Sequence, residues 1–199
     1  FPLRGKPLNA LGVTMKDILQ NQEISNLFSI LGLKIGEKVR SRDDLYFGKI
    51  VLCTDADVDG SHISGLIMAT LYRFWPELFD LGVIYRFKTP IAKTIKGGKD
   101  RYFYSMDEFR EYCDKNKSSK VRYLKGLGSS SADDFRFYFS EMDKNLVDIG
   151  IDSIKDLGII DLVFGKEAGA TDKRKNWLGL EAKKIDDDII LLSKQGERK

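Results

Sequence analysis

Histidine occurs once, cysteine twice and proline four times in these 199 residues, and each scarcity narrows the reading. Cys53 and Cys113 lie far apart in different contexts. Cys53 falls in an expected buried strand, so both read as reduced thiols of an intracellular protein. No apolar run approaches the roughly 20 residues of a membrane span, and no signal-peptide pattern opens the chain. Internal repeats and long low-complexity tracts are also lacking. Net charge is only +3, which neither demands nor excludes nucleic acid, so any basic surface must be local. The first residue is Phe1 rather than Met, which reads as a fragment or a processed piece. What remains is an ordinary globular composition, 42% hydrophobic and 32% charged, long enough to bury a core.

The opening "FPLRGKPLNALG" concentrates Pro and Gly and reads as an irregular loop. In "MKDILQNQEISNLFSILGL" the apolar spacing predicts one or two short amphipathic helices. After a charged connection, "KIVLCT" is a short apolar run of the kind found in a strand covered on both faces. Ile63, Leu66, Ile67, Leu71 and Phe74 then share one helical face until Pro76 interrupts it, and "GVIYRFKTP" predicts the next strand. Strand, long helix, strand is a βαβ unit with parallel strands and a right-handed crossover. "IAKTIKGGKDRYFYS" predicts a hairpin turning at Gly97-Gly98, "MDEFREYCDKN" a helix and "KVRYL" a strand. "KGLGSSS" reads as a loop entering the helix "ADDFRFYFSEMDKN", where Ser130 or Ser131 can cap and Asp133 and Asp134 suit the first turn. Beyond about residue 145 the chain is expected to be helical and strongly charged.

The chemistry concentrates in "TDADVDGSH". Asp55, Asp57 and Asp59 alternate directly after the apolar strand, and like charges so close are unfavourable without a cation among them. Asp-x-Asp-x-Asp-Gly also opens an EF-hand loop, but that loop needs a Glu at its twelfth position and a preceding helix. Here the twelfth position is Leu66 and the preceding segment is strand-like. An acidic turn at the carboxyl end of a buried strand, just before a helix, is where open α/β sheets bind ligands. Hard oxygen donors with no Cys or His pair nearby favour Mg²⁺ or Mn²⁺ over zinc, and such ions characteristically act on phosphate groups. The plainer alternative is an acidic N-capping turn that holds no ion. His62 beside the helix start reads as a structural hydrogen-bonding residue before a general base. Arg4 and Lys6 flank Gly5 where backbone amides and cations can meet a phosphate, and Lys125 between a strand and a capped helix can do the same.

Taken in order, "PLRGKPLN", "KIVLCTDADVDGSHI", "YLKGLGSSS" and "DKRKNWL" resemble four successive landmarks of the gyrase-B-like half of type IIA DNA topoisomerases. The hydroxyl residues Ser129 to Ser131 after the lysine-glycine loop lean toward the eukaryotic and T4-like phage branch. The resemblance covers most of residues 1 to about 180. It implies an α/β fold: a Toprim-type parallel sheet flanked by helices, with a mostly helical C-terminal extension. The expected division is a metal and DNA-cleavage domain over 1–128, lacking its first strand, and a helical connector over 129–199. Pro7 departs from the Ile that relatives often carry there.

The resemblance implies a two-metal Mg²⁺ site in which Asp55 binds the catalytic ion, Asp57 the second ion, and Asp59 supports both. Asp55 and Lys125 are the implied catalytic residues, and Lys6, Asn9 and Arg4 the implied DNA contacts. The implied partners are double-stranded DNA, a tyrosine-bearing breakage-reunion segment or subunit, and an ATPase domain that uses ATP upstream. A glutamate on the family's first Toprim strand would precede Phe1, and none of the eight Tyr residues sits in an equivalent of the nucleophile. The expected whole is an ATP-dependent type II topoisomerase, an isomerase that breaks, passes and rejoins duplex DNA, with this chain alone inactive. Expected locations are the cytoplasm of an infected bacterium or a eukaryotic nucleus, with no membrane partner. Two alternatives stand beside it: a Toprim nuclease or primase-like enzyme, and a non-catalytic Mg²⁺-dependent DNA-binding module.

Overall fold

The computed structural model describes residues 1–96, 99–117, 120–124, 126–150 and 154–179. The chain divides into two compact units, residues 1–151 and 152–199.

In the first unit, Thr14 opens α1 (Met15–Gln20) with a capping box, its hydroxyl receiving the Asp17 amide and the Asp17 carboxylate receiving the Thr14 amide at 3.0 Å. Asn21 caps α2 (Gln22–Leu31), which stops at Gly32 with φ 78°, the left-handed turn that favours glycine. The Leu33 amide then closes back on the Phe28 carbonyl at 2.9 Å. Inward-facing Ile24, Phe28 and Leu31 meet Trp75, whose ring stands edge-on to Phe28 at 4.7 Å between centroids. The indole N–H is satisfied by the Glu37 carbonyl at 2.9 Å, so the ring is buried without an orphan donor.

Strand β1 (Ile50–Leu52), helix α3 (Val58–Phe74) and strand β2 (Ile84–Phe87) form the expected unit, with β1 and β2 parallel and Ile50 opposite Ile84. Trp75 terminates α3 and Pro76 starts the short α4 (Glu77–Asp80), since proline has no N–H to continue the ladder. Leu66, Ile67, Ala69 and Leu71 of α3 are buried. Strand β1 is expected to be covered along its length and to take in Cys53. It is shorter: Ile50 is buried, Val51 and Leu52 are half-buried, and Cys53 lies past its end, exposed.

The second sheet is antiparallel. β3 (Ala92–Lys96) lies between β4 (Lys99–Phe103) and β5 (Lys120–Tyr123), with α5 (Met106–Lys115) packing Phe109 edge-on to Phe103. The β3–β4 pairing is that of the expected hairpin; its turn at Gly97-Gly98 lies outside the described residues. Helix α6 (Ala132–Ser140) is capped by Ser131 and brings Tyr138 into a cluster with Phe87, Tyr102 and Leu124. The chain is not wholly helical beyond residue 145, because β6 (Leu146–Asp148) adds antiparallel to β2, with Arg86 opposite Val147. Three residues are too few to show alternation, so only the pairing with β2 reveals the strand.

In the second unit, α7 (Ile154–Phe164) is followed by helical residues 170–179. Arg174 donates to the carbonyls of Leu162, Val163 and Gly165, satisfying acceptors that the end of α7 leaves open. Among the described residues no helix is long and apolar enough to cross a membrane.

Candidate functional site

β1 delivers the acidic turn to its carboxyl end, and two hydroxyl contacts fix the exit. Thr89 donates to the Thr54 carbonyl at 2.6 Å, and the Thr54 and Ser64 hydroxyls share a hydrogen bond of 2.9 Å. Asp57 is the N-cap of α3, with its Oδ1 accepting from the Gly60 amide at 2.7 Å. Gly60 lets the helix start lie directly on the Asp55 backbone: a Cβ there would stand 2.1 Å from the Asp55 carbonyl oxygen. Asp57 therefore caps α3 with one of its two carboxylate oxygens, and a glycine is needed after Asp59 for a steric reason.

Asp55 points to a segment distant in sequence. Its Oδ1 accepts from the Leu127 amide at 2.7 Å across 72 residues. Gly126 leans on the same carboxylate, where a Cβ would lie 2.6 Å from Oδ2. The glycine-rich loop thus reaches the acidic turn, as a phosphate-facing site would need. Lys125, on that loop, lies outside the described residues.

Asp59 is exposed and its Oδ1 is 2.8 Å from Lys6 Nζ. The hydrogen bond from Lys6, and then its charge, hold the Asp59 carboxyl below its ordinary range. The basic opening loop and the acidic turn are therefore adjacent. Asn9 is turned to a local task, its side chain accepting from the Leu11 amide at 3.1 Å to cap a 3₁₀ turn at Ala10–Gly12. The Arg4 amide donates to Glu23 Oε1 at 2.7 Å.

A metal ion fits this site in its donor chemistry. Asp55 and Asp57 offer hard oxygens, and one oxygen of each is held by a backbone amide, which orients the other. Mg²⁺ that keeps most of its waters needs only one or two such carboxylates. Asp59 faces Lys6 instead, and among the described residues no group of three or more His, Cys, Asp or Glu side chains converges as a metal cage. An open groove of about 650 Å³ is lined by residues that include Leu3, Leu27, Leu52, Cys53, Asp55 and Leu127.

Several supporting residues carried no sequence signal. Arg73, at the end of α3, donates to the carbonyls of Ala10 and Val13 and so ties the basic loop to the helix that Asp57 caps. Arg86 on β2 reaches the Ser61 hydroxyl at 3.0 Å. Lys93 and Asp134 form a buried ion pair; a lysine between the apolar residues of "IAKTI" is the one clue the sequence offers.

A mixed α/β domain with an acidic turn at a parallel strand's carboxyl end, and a glycine loop folded onto it, is Toprim-type. The family model for the C-terminal associated domain of TOPRIM matches residues 87–193. The DNA topoisomerase 2 of Bombyx mori is 40% identical over 89% of this chain, and the DNA topoisomerase 2-beta of Gallus gallus is 39% identical over the same share. The crystal structure of the Plasmodium falciparum topoisomerase II DNA-binding, cleavage and re-ligation domain superposes on 89% of this chain and 25% of its own, with a TM-score of 0.80 at 35% identity. The chain belongs to the Toprim-containing part of the type II DNA topoisomerases. It spans 12% of the Bombyx protein and 11% of the Gallus protein.

Proposed function

We propose that this chain is the metal- and DNA-holding portion of an ATP-dependent type II DNA topoisomerase, an isomerase that breaks, passes and rejoins double-stranded DNA. One observation carries the reading: Asp55, at the end of a parallel strand, is held by the Leu127 amide of the glycine loop while Asp57 caps the following helix. Asp55 and Asp57 are the proposed Mg²⁺ ligands of a two-metal site, and Asp59 supports them by fixing Lys6 beside them. Mg²⁺ bound there would offset negative charge at the scissile phosphate and on the leaving 3′ oxygen. Lys6, with Arg4 and Asn9 on the same loop, seats the DNA backbone, and Lys125 acts from the glycine loop at the reacting phosphate. The attacking tyrosine comes from another segment or subunit, and ATP is used by a further domain.

The test is Asp55→Asn in the complete enzyme. The substitution keeps the side chain's shape and an acceptor for Leu127, and it removes the charge a metal needs. DNA binding should persist while Mg²⁺-supported cleavage of supercoiled plasmid is lost. Cleavage at the parent rate would remove Asp55 from the metal site.

A further inference from the structure

We propose that Asp134, clamped between Lys93 and Tyr102, is a positioning residue that holds the 126–131 segment against the carboxylate of Asp55. The proposal deepens the metal-site reading, because the orientation of Asp55 is what the segment controls.

The division of labour within one carboxylate is the starting point. Asp134 Oδ1 accepts from Lys93 Nζ and from the Tyr102 hydroxyl, each at 2.6 Å, so it belongs to strands β3 and β4. Its Oδ2 accepts from the Ser131 amide at 2.7 Å and the Ser131 hydroxyl at 2.8 Å, so it belongs to the start of α6. Asp134 is fully buried, and Lys93, buried beside it, is also 2.6 Å from Asp100. Burial pushes the Asp134 carboxyl up, but the donors Lys93, Tyr102 and Ser131 together hold it well below its ordinary range.

Capping alone does not require any of this. The same chain builds the same capping box at α1 from Thr14 and Asp17, and there Asp17 is exposed. Burying a lysine and a carboxylate carries a desolvation cost that capping by an exposed pair avoids. The buried version adds a fixed tether from the antiparallel sheet to residue 131.

From residue 131 the tether runs to Asp55 without a gap. The Ser130 hydroxyl meets the Tyr138 hydroxyl at 3.0 Å, and Tyr138 packs edge-on to Tyr102. The Ser130 amide donates to the Leu127 carbonyl and the Ser129 amide to the Gly126 carbonyl, both at 3.0 Å. Arg122 of β5 donates to the Ser129 carbonyl. The segment is thus pinned at one end by Asp134 and at the other by the Leu127 amide on Asp55, with Gly126 close against that carboxylate.

The decisive measurement is amide hydrogen exchange on the 199-residue chain and its Asp134→Asn variant, which keeps volume and loses charge. Exchange at Leu127 should rise at least tenfold beyond any rise at Ile91 and Leu124, whose amides bond within the β3 region and report the general loss of stability. Should Asp134→Asn fail to fold, Ser131→Ala, which removes the hydroxyl contact to Oδ2 and the cap on the Asp134 amide but leaves the Lys93 and Tyr102 contacts, should still raise exchange selectively at Leu127. Unchanged exchange at Leu127, or a rise matched at Ile91 and Leu124, would reduce Asp134 to a general stabiliser and overturn the proposal. A Mg²⁺ titration of the complete enzyme and its Asp55→Asn variant is run alongside. Mg²⁺ uptake by the complete enzyme that Asp55→Asn leaves unchanged would remove the metal reading and leave the exchange result to decide the tether.

Discussion

Gly60→Ala separates helix propensity from packing, because the two predict opposite signs. Gly60 lies in the first turn of α3 without a positive φ, so propensity alone expects alanine to stabilise by up to about 1 kcal/mol. The structure places the new Cβ 2.1 Å from the Asp55 carbonyl oxygen and 2.8 Å from the Asp55 nitrogen, inside the 3.0 Å that real Cβ contacts essentially never breach. The obstacle is backbone, which cannot rotate away as a side-chain tip would. Overpacking of this kind costs about 1–3 kcal/mol, and the upper end applies against a rigid neighbour. Relief of the clash moves the Gly60 amide off Asp57 Oδ1, with a further loss of about 1 kcal/mol for the cap. The net expectation is a destabilisation of about 2–3 kcal/mol. At a urea m-value of about 2 kcal/mol/M the unfolding midpoint should fall by roughly 1 M. Trp75 is the natural probe, buried in the first unit, and a Trp177→Phe background silences the other tryptophan. A midpoint unchanged or raised by Gly60→Ala would refute the packing argument and with it the close seating of α3 on Asp55.

Lys6→Ala in the complete enzyme should weaken binding about equally for all DNA sequences and reduce the salt slope by about one unit, as loss of one phosphate contact requires; an unchanged slope returns Lys6 to its pairing with Asp59 alone. The Lys93–Asp134 pair should also mark stability against pH. Asp134's carboxyl is lowered on folding, so its contribution is complete above about pH 4 and is lost as pH falls further. Lys93, raised by Asp100 and Asp134 despite the opposing effect of burial, contributes fully below about pH 10 and loses its share above. The gap in urea midpoint between parent and Asp134→Asn should therefore narrow as pH falls below about 4, and a constant gap would refute the assignment.

Local rules made much of this chain legible. A short apolar run, a three-aspartate turn and a helical face ending at Pro76 sufficed for β1, α3 and β2 in parallel, because strand period, helix period and proline chemistry act over neighbouring residues. Ser131 and Asp134 were readable as a cap and its first turn for the same reason. Contacts closed over long loops were not readable. The Leu127 amide on Asp55, Arg73 on the carbonyls of Ala10 and Val13, and β6 on β2 each join residues that share no local pattern. Lys93 shows the limit most plainly. The sequence places a lysine in a strand among apolar neighbours, and only the arrival of Asp134 from α6 and Asp100 from β4 makes its burial tolerable. A charge enters a protein interior only when its partners arrive with it, and their arrival is decided by the tertiary fold.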